Sequence, residues 1–196
     1  MSSLPRSLAL SFLLLISLTT SAQYNIKKLM EEGRSTLEAG LYLSSMQLFG
    51  RVVSLKPQVH ESWYLMALSK YHLEEYDGAT KDCTEAIKLN PYMPEYFDLR
   101  AMIALRTEHY DSAAVDYTHA IDLQPDNRDY WYNRAYSYYY AGQTQLALQQ
   151  LDYIVDRWHN FRQAKQLRRE VASGRQPQPG SPRVSYRWRR KLSLQK

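Results

Sequence analysis

HESWYLMALSKYHLEEYDGATKDCTEAIKLNPYM, residues 60–93, decides how the chain is read. Its skeleton of Trp63, Met66-Ala67, Tyr76-Asp77, Ala79, Cys83, Ala86 and Pro91 occurs in recognisable form once before it and twice after it. Pro57, Pro91 and Pro125 stand 34 residues apart, the period of a helix-turn-helix unit that cannot bury its apolar face alone and must stack on a neighbour. The copy at 26–59 shows Leu29, Gly33, Tyr42, Ser45, Phe49, Val52 and Pro57. Residues 94–127 show Phe97, Ala101, Tyr110-Asp111, Ala113, Tyr117, Ala120 and Pro125. Residues 128–161 show Trp131, Ala135, Tyr138, Ala147, Leu151 and Ile154, with His159 in the proline slot and Thr144 where a tyrosine opens the second helix elsewhere. Those departures mark the close of the array, since a last unit has no following neighbour to serve.

The slots follow from packing. Gly33, Ala67, Ala101 and Ala135 are small so that the second helix of each unit can approach the first, and Ala79, Ala113 and Ala147 do the same from the other side. Trp63, Phe97 and Trp131 are expected to fill the volume between units, and the three prolines to stop the second helices. Pro94 suits a helix first turn, Asp126 or Asn127 can cap the helix of Trp131, and Asp77 and Asp111 favour the dipoles of the helices they open. Residues 162–173 read as one more amphipathic helix, with Ala164, Leu167 and Val171 following Phe161, that caps the last unit.

Composition agrees with packed helices: 17 tyrosines stand against 7 glycines, and 44% of the 196 residues are apolar. The net charge of +5 hides a division. Residues 23–173 hold 17 basic and 20 acidic side chains, while 174–196 carry seven bases and no acid. Met1 to Arg6, the apolar run Leu8 to Leu18 and the small residues Thr19-Thr20-Ser21-Ala22 predict a signal peptide over 1–22, cleaved after Ala22. The expected destination is therefore export, to a periplasm or outside the cell. Cys83, the single cysteine, sits in a slot that is apolar or aromatic in the other copies and reads as core.

After Gly174 the run Gln176-Pro177-Gln178-Pro179-Gly180-Ser181-Pro182 reads as a linker. Tyr186, Arg187, Trp188, Arg189, Arg190 and Lys191 follow. This basic tail is expected to be either solvated or folded back on the acidic repeats, or else to contact an edge strand, an anionic membrane surface or, least of all for an exported chain, nucleic acid.

Catalysis has little footing. His60-Glu61 lacks the second histidine of a zinc helix, and His72, His109, His119 and His159 show no ligand spacing among themselves or with Cys83. No Gly-rich phosphate loop occurs, and no cofactor or metal is expected.

The offsets, recurring in register over 26–161, make the chain resemble the tetratricopeptide-repeat family, whose pattern is W-x2-L-G-x2-Y, A-x3-F, A and P over 34 residues. The resemblance implies an all-α, right-handed superhelical solenoid of four units plus a capping helix, spanning 23–173, whose first helices line a concave groove for a protein or peptide. It nominates Arg34 from the first unit, and Glu61, Tyr64, Leu68 and His72 from the second. Asp98, Met102 and Arg106 come from the third unit, and Asp129, Tyr132, Asn133, Tyr136 and Tyr140 from the fourth. One subgroup of the family clamps a peptide carboxy-terminus with lysines, an arginine and asparagines; the corresponding positions here hold Met30, Arg34, Leu65, Glu95 and Leu99, which disfavours that ligand. The expectation is a non-enzymatic adaptor. Its rivals are surface tethering through the tail and self-association into a homo-oligomer.

Overall fold

In the computed structural model, residues 25–175 are described; the segment 1–22 read as a signal peptide and the tail residues Tyr186 to Lys191 lie outside the described residues. Nine helices and no strand occur among them. The first helix, α1, covers residues 25–38. It is followed by α2 (Tyr42–Leu55), α3 (His60–His72), α4 (Tyr76–Leu89), α5 (Pro94–Arg106), α6 (Tyr110–Leu123), α7 (Arg128–Tyr140), α8 (Thr144–Arg157) and α9 (Arg162–Ala172). Each unit is an antiparallel pair, and the chain forms an all-α solenoid of four such pairs with α9 closing the end.

The small slots work as packing requires. A Cβ on Gly33 would stand 2.7 Å from the Phe49 ring, so this position has no room even for the alanine that the later units carry. Ala67, Ala101, Ala135, Ala79, Ala113 and Ala147 are all fully buried. Leu37, Phe49, Val52, Leu65 and Leu99 belong to one core cluster, and Tyr117, Leu151, Ile154 and Leu167 to a second. Helix α5 feeds both, giving Leu99, Met102 and Ile103 to the first and Phe97, Ala101 and Leu105 to the second.

Turns inside the units close alike. Gly40, Glu74, Glu108 and Gly142 take up left-handed backbone. The next residue's N–H then reaches back to a carbonyl of the first helix, as from Glu75 to Lys70 and from Gln143 to Tyr138, which satisfies carbonyls that the helix end leaves open.

Between units, two expectations change. Helix α8 ends at Arg157, the position equivalent to Leu55, Leu89 and Leu123, although His159 replaces the proline. Packing against the next helix therefore suffices to stop it. Trp63 and Trp131 are not buried wedges. They lie half-buried, packed against the edges of the two core clusters, and each indole N–H donates to a preceding proline carbonyl, Pro57 at 2.7 Å and Pro125 at 2.8 Å, tying a first helix to the loop before it. Phe97, with no N–H to donate, is the buried member of the three. Asn127, rather than Asp126, caps α7, accepting from the Asp129 N–H; Asp126 pairs with Arg157 at 2.6 Å.

Helix α3 also reaches α5, and α7 reaches α9, whereas α4, α6 and α8 pack on the first helices that flank them. First helices thus lie on the inner radius, and α9 extends their layer.

Candidate functional site

The inner layer is built in rows that repeat with the units. Glu61, Glu95 and Asp129 each sit in the first turn of α3, α5 and α7, where a carboxylate also suits the helix dipole. One turn on come Tyr64, Asp98 and Tyr132, then Leu68, Met102 and Tyr136, and at the carboxy ends His72, Arg106 and Tyr140.

Not all of these face the groove. Leu68 is 1% exposed and Met102 2% exposed, both in the core cluster shared by α3 and α5. They are corrected to core residues: this row abuts the neighbouring first helix, so a flexible apolar side chain there is covered by the stack. Asp98 and Asn133 are also buried. Burial raises the pKa of the Tyr117 and Tyr130 hydroxyls, and Asp98, beneath the surface nearby, adds to it.

The rest form two clusters. Towards the amino end, Arg34 Nη2 meets Glu61 Oε1 at 2.6 Å, with each side chain about one-third exposed. Tyr64 leans on Tyr96 at 4.8 Å between ring centroids, and His60 Nδ1 lies 2.6 Å from the Tyr96 hydroxyl. His72 stacks on Tyr42 at 4.3 Å, nearly parallel, with Tyr71 edge-on. Burial lowers its pKa, keeping the imidazole neutral. Arg106 Nε donates to the Tyr71 hydroxyl at 3.3 Å.

Towards the carboxy end the cluster is aromatic. Tyr136 stacks on Tyr140 at 4.3 Å, Tyr140 meets Tyr110 at 5.4 Å, and Tyr132 meets Phe161 at 5.4 Å, with the Arg128 guanidinium 4.8 Å over that phenylalanine. Burial, then the nearby Glu170 carboxylate, pushes the Tyr132 hydroxyl up to about 12. Burial likewise raises Tyr96 and Tyr136. These phenols therefore stay protonated in neutral solution and can both donate and accept hydrogen bonds. Tyr136 is 8% exposed and acts as the floor on which the half-buried Tyr132 and Tyr140 rest.

Sequence reasoning missed the seam between the layers. Arg100 forks onto Asp116 with bonds of 2.8 and 2.7 Å and also donates to Thr84 of the preceding unit. One period later, Arg134 donates to Gln150 at 2.8 Å and to Thr118 at 3.1 Å, and in the next position Arg168 reaches Asp152. Their 34-residue spacing was the available signal. Lys70 and Asp82, 2.7 Å apart, form a related rung. Arg100 and Asp116 also line a cleft of about 730 Å3 on the second-helix side, with Thr80, Thr84, Thr107 and Ser112. Asp77 and Lys81 line it as well, and Arg100 and Asp116 satisfy each other across it, so it reads as an architectural joint. Among the described residues, no group of three or more His, Cys, Asp or Glu could hold a metal ion, and no helix is long and apolar enough to cross a membrane. Cys83 is fully buried, its thiol pKa raised by burial.

No curated protein matches the chain in sequence. Solved structures similar to it include MamA, residues 41 to the end, from Desulfovibrio magneticus RS-1, with a TM-score of 0.72 at 15% identity over 76% of this chain and 85% of that one. The second TPR domain of human RPAP3, in complex with the HSP70 peptide SGPTIEEVD, gives 0.57 at 18% identity over 59% of this chain and 97% of that one. An O-GlcNAc transferase from Thermobaculum terrenum gives 0.62 at 18% identity; the match covers 70% of this chain but only 27% of that enzyme. At these identities the likeness is one of fold. Family models described as tetratricopeptide repeat match residues 60–92 and 99–172, together more than half of the sequence. With the 34-residue period and the paired helices in register with it, the chain belongs to the tetratricopeptide-repeat family.

Proposed function

We propose that the chain is an exported, non-enzymatic adaptor that holds a partner peptide or helix against its layer of first helices. The observation that carries this reading is the set of half-buried tyrosines Tyr64, Tyr132 and Tyr140 on α3 and α7. They present broad contact area with few torsions left to freeze and a hydroxyl that can donate or accept. Rigid helices hold them in place before any ligand arrives, which lowers the cost of binding. The human RPAP3 domain in complex with SGPTIEEVD supports a peptide as the class of ligand. That peptide is acidic, whereas Glu61, Glu95 and Asp129 open the first helices here. A ligand bearing cations suits this groove better. Export, with loss of residues 1–22, is supported by the sequence pattern of the amino terminus.

The test is capture from an extract of the source cells by the immobilised full chain, set beside a Tyr64→Ala/Tyr132→Ala/Tyr140→Ala variant with an unchanged circular-dichroism spectrum. The proposal expects a protein retained by the first and lost from the second. Retention indifferent to the tyrosines, yet abolished by Arg187, Arg189, Arg190 and Lys191→Gln, would overturn it in favour of the basic tail.

A further inference from the structure

The groove and the end of the chain are electrically complementary. Of the carboxylates on the inner layer, Glu61 is matched by Arg34. Glu95 has a buried Oε2 with no hydrogen-bond partner. Asp129 is 71% exposed, with Arg128 4.0 Å away at the limit of ion pairing. Glu170 accepts a bond from Gln166 and lies near enough to Tyr132 and Tyr139 to add to the effect of burial, which raises both hydroxyl pKa values. On this part of the inner layer Arg106 is engaged by the Tyr71 hydroxyl and Arg128 by the Phe161 ring, so among the described residues Glu95, Asp129 and Glu170 lack a close cation where the tyrosines are most concentrated.

The chain leaves the solenoid at this same layer. The Tyr139 hydroxyl of α7 donates to the carbonyl of Arg175, the last described residue. Beyond it lie Arg183, Arg187, Arg189, Arg190, Lys191 and Lys196, with Tyr186 and Trp188 among them and no acid. Proline-rich segments extend about 3.1 Å per residue, so 176–182 can bridge roughly 20 Å. Packed helices stand about 8–10 Å apart. That reach carries Arg183 to Lys191 past α7 to the level of α5 and α3, where Glu95 and Tyr64 sit. Guanidinium groups can pair with the carboxylates and lie over tyrosine faces.

We propose that the chain's own basic segment, residues 183–191, docks in the acidic, tyrosine-lined groove of α3, α5 and α7, so that an outside partner must displace it. This rests on the groove reading and adds the regulation of that site. A tethered segment acts at an effective concentration on the order of millimolar, and occupancy by it weakens the apparent affinity for anything else in proportion.

The probe is a fluorescent synthetic peptide of residues 183–194, titrated with the full chain and followed by polarisation. Neutralising the chain's own segment, with Arg187, Arg189, Arg190 and Lys191→Gln, is expected to tighten probe binding about ten-fold or more by removing the competitor. Adding Glu95→Gln, Asp129→Asn and Glu170→Gln to that chain is expected to reverse the gain. Equal affinity with and without neutralisation overturns the proposal.

A second readout uses a nitroxide at Ser193→Cys, made selective by the full burial of Cys83. Line broadening is expected at amides of α5 and α7 over those of α4 and α6. Its absence overturns the docking. Its appearance only between nitroxide-bearing chains and separate isotope-labelled chains overturns it too, and assigns the segment to a second copy. Should these fail while tyrosine-dependent capture holds, the groove keeps its function and loses this occupant; loss of both removes the groove reading as well.

Discussion

Charges in the seam and charges in the groove differ in how completely the fold uses them. In the seam, Arg100 is answered by Asp116 and Thr84, and Arg134 by Gln150 and Thr118, each bridging partners 16 residues away on either side. The Asp116 side chain is 6% exposed. In the groove, Asp129 is largely exposed and Glu95 has an oxygen without a hydrogen-bond partner. Seam charges define how units stack, because an unmatched ion there is costly; an exposed groove charge such as Asp129 can be removed with little consequence for folding and is available to a ligand.

The same contrast appears within the seam itself. Hydrogen bonding to Asp116 raises the Arg100 pKa, whereas burial lowers that of Arg134, whose partner is the neutral Gln150. The fourth unit compensates by placing its guanidinium 5.0 Å over Trp131, closer than the 5.9 Å between Arg100 and Phe97. One slot in the period thus tolerates an ion pair or a cation–aromatic contact.

Removing a seam partner gives the largest expected effect. Asp116→Ala leaves Arg100 without its fork and should cost about 2–4 kcal/mol in chemical unfolding, while Asp129→Asn in the groove, at a largely exposed side chain, should stay within about 0.5 kcal/mol. Similar losses for both would erase the distinction between the regions. Next comes Gly33→Ala. Helix propensity alone predicts a gain near 1 kcal/mol, but the new Cβ would press on the Phe49 ring, which is fully buried and cannot yield. A net loss of about 1–3 kcal/mol is expected, and a gain would show that the first seam is looser than its distances indicate.

The smallest effect is a pH slope at the groove edge. His72 is held neutral by burial below its ordinary pKa of 6.5, so the unfolded chain takes up a proton that the folded one resists. Its contribution to stability is present above 6.5 and is lost as pH falls through and below that value. His72→Phe keeps a ring against Tyr42 without a titrating nitrogen. Denaturant midpoints at pH 7.5 and 5.5 should diverge less for the variant than for the parent chain; an equal slope would place His72 in water.

Much of this was legible in the sequence because the 34-residue period acts as a ruler. Once Pro57, Pro91 and Pro125 set it, Gly33 and the alanines declared the close approaches, and Tyr64, Tyr132 and Tyr140 fell in slots away from the packing positions. Leu68 and Met102 were misplaced for a definite reason. First helices are packed by their own second helix and by neighbouring first helices, so α5 is buried on most sides and a single apolar stripe does not distinguish groove from seam. Arg100 and Arg134 escaped notice because an arginine on a helix reads as solvated until its partner, 16 residues distant on another helix, is seen. Tyr96 and Tyr130, each 1% exposed, are supports of the groove that only the packing reveals.

The most direct test of the central claim is selection of random displayed peptides on the full chain, with Arg187, Arg189, Arg190 and Lys191→Gln to expose the groove, followed by affinity measurement on the Tyr64→Ala and Tyr132→Ala forms. The account predicts peptides carrying arginine or lysine beside an aromatic residue, and about ten-fold or greater weakening by each tyrosine substitution, equivalent to about 1.4 kcal/mol. Acidic peptides, or affinities unchanged by both substitutions, would contradict it.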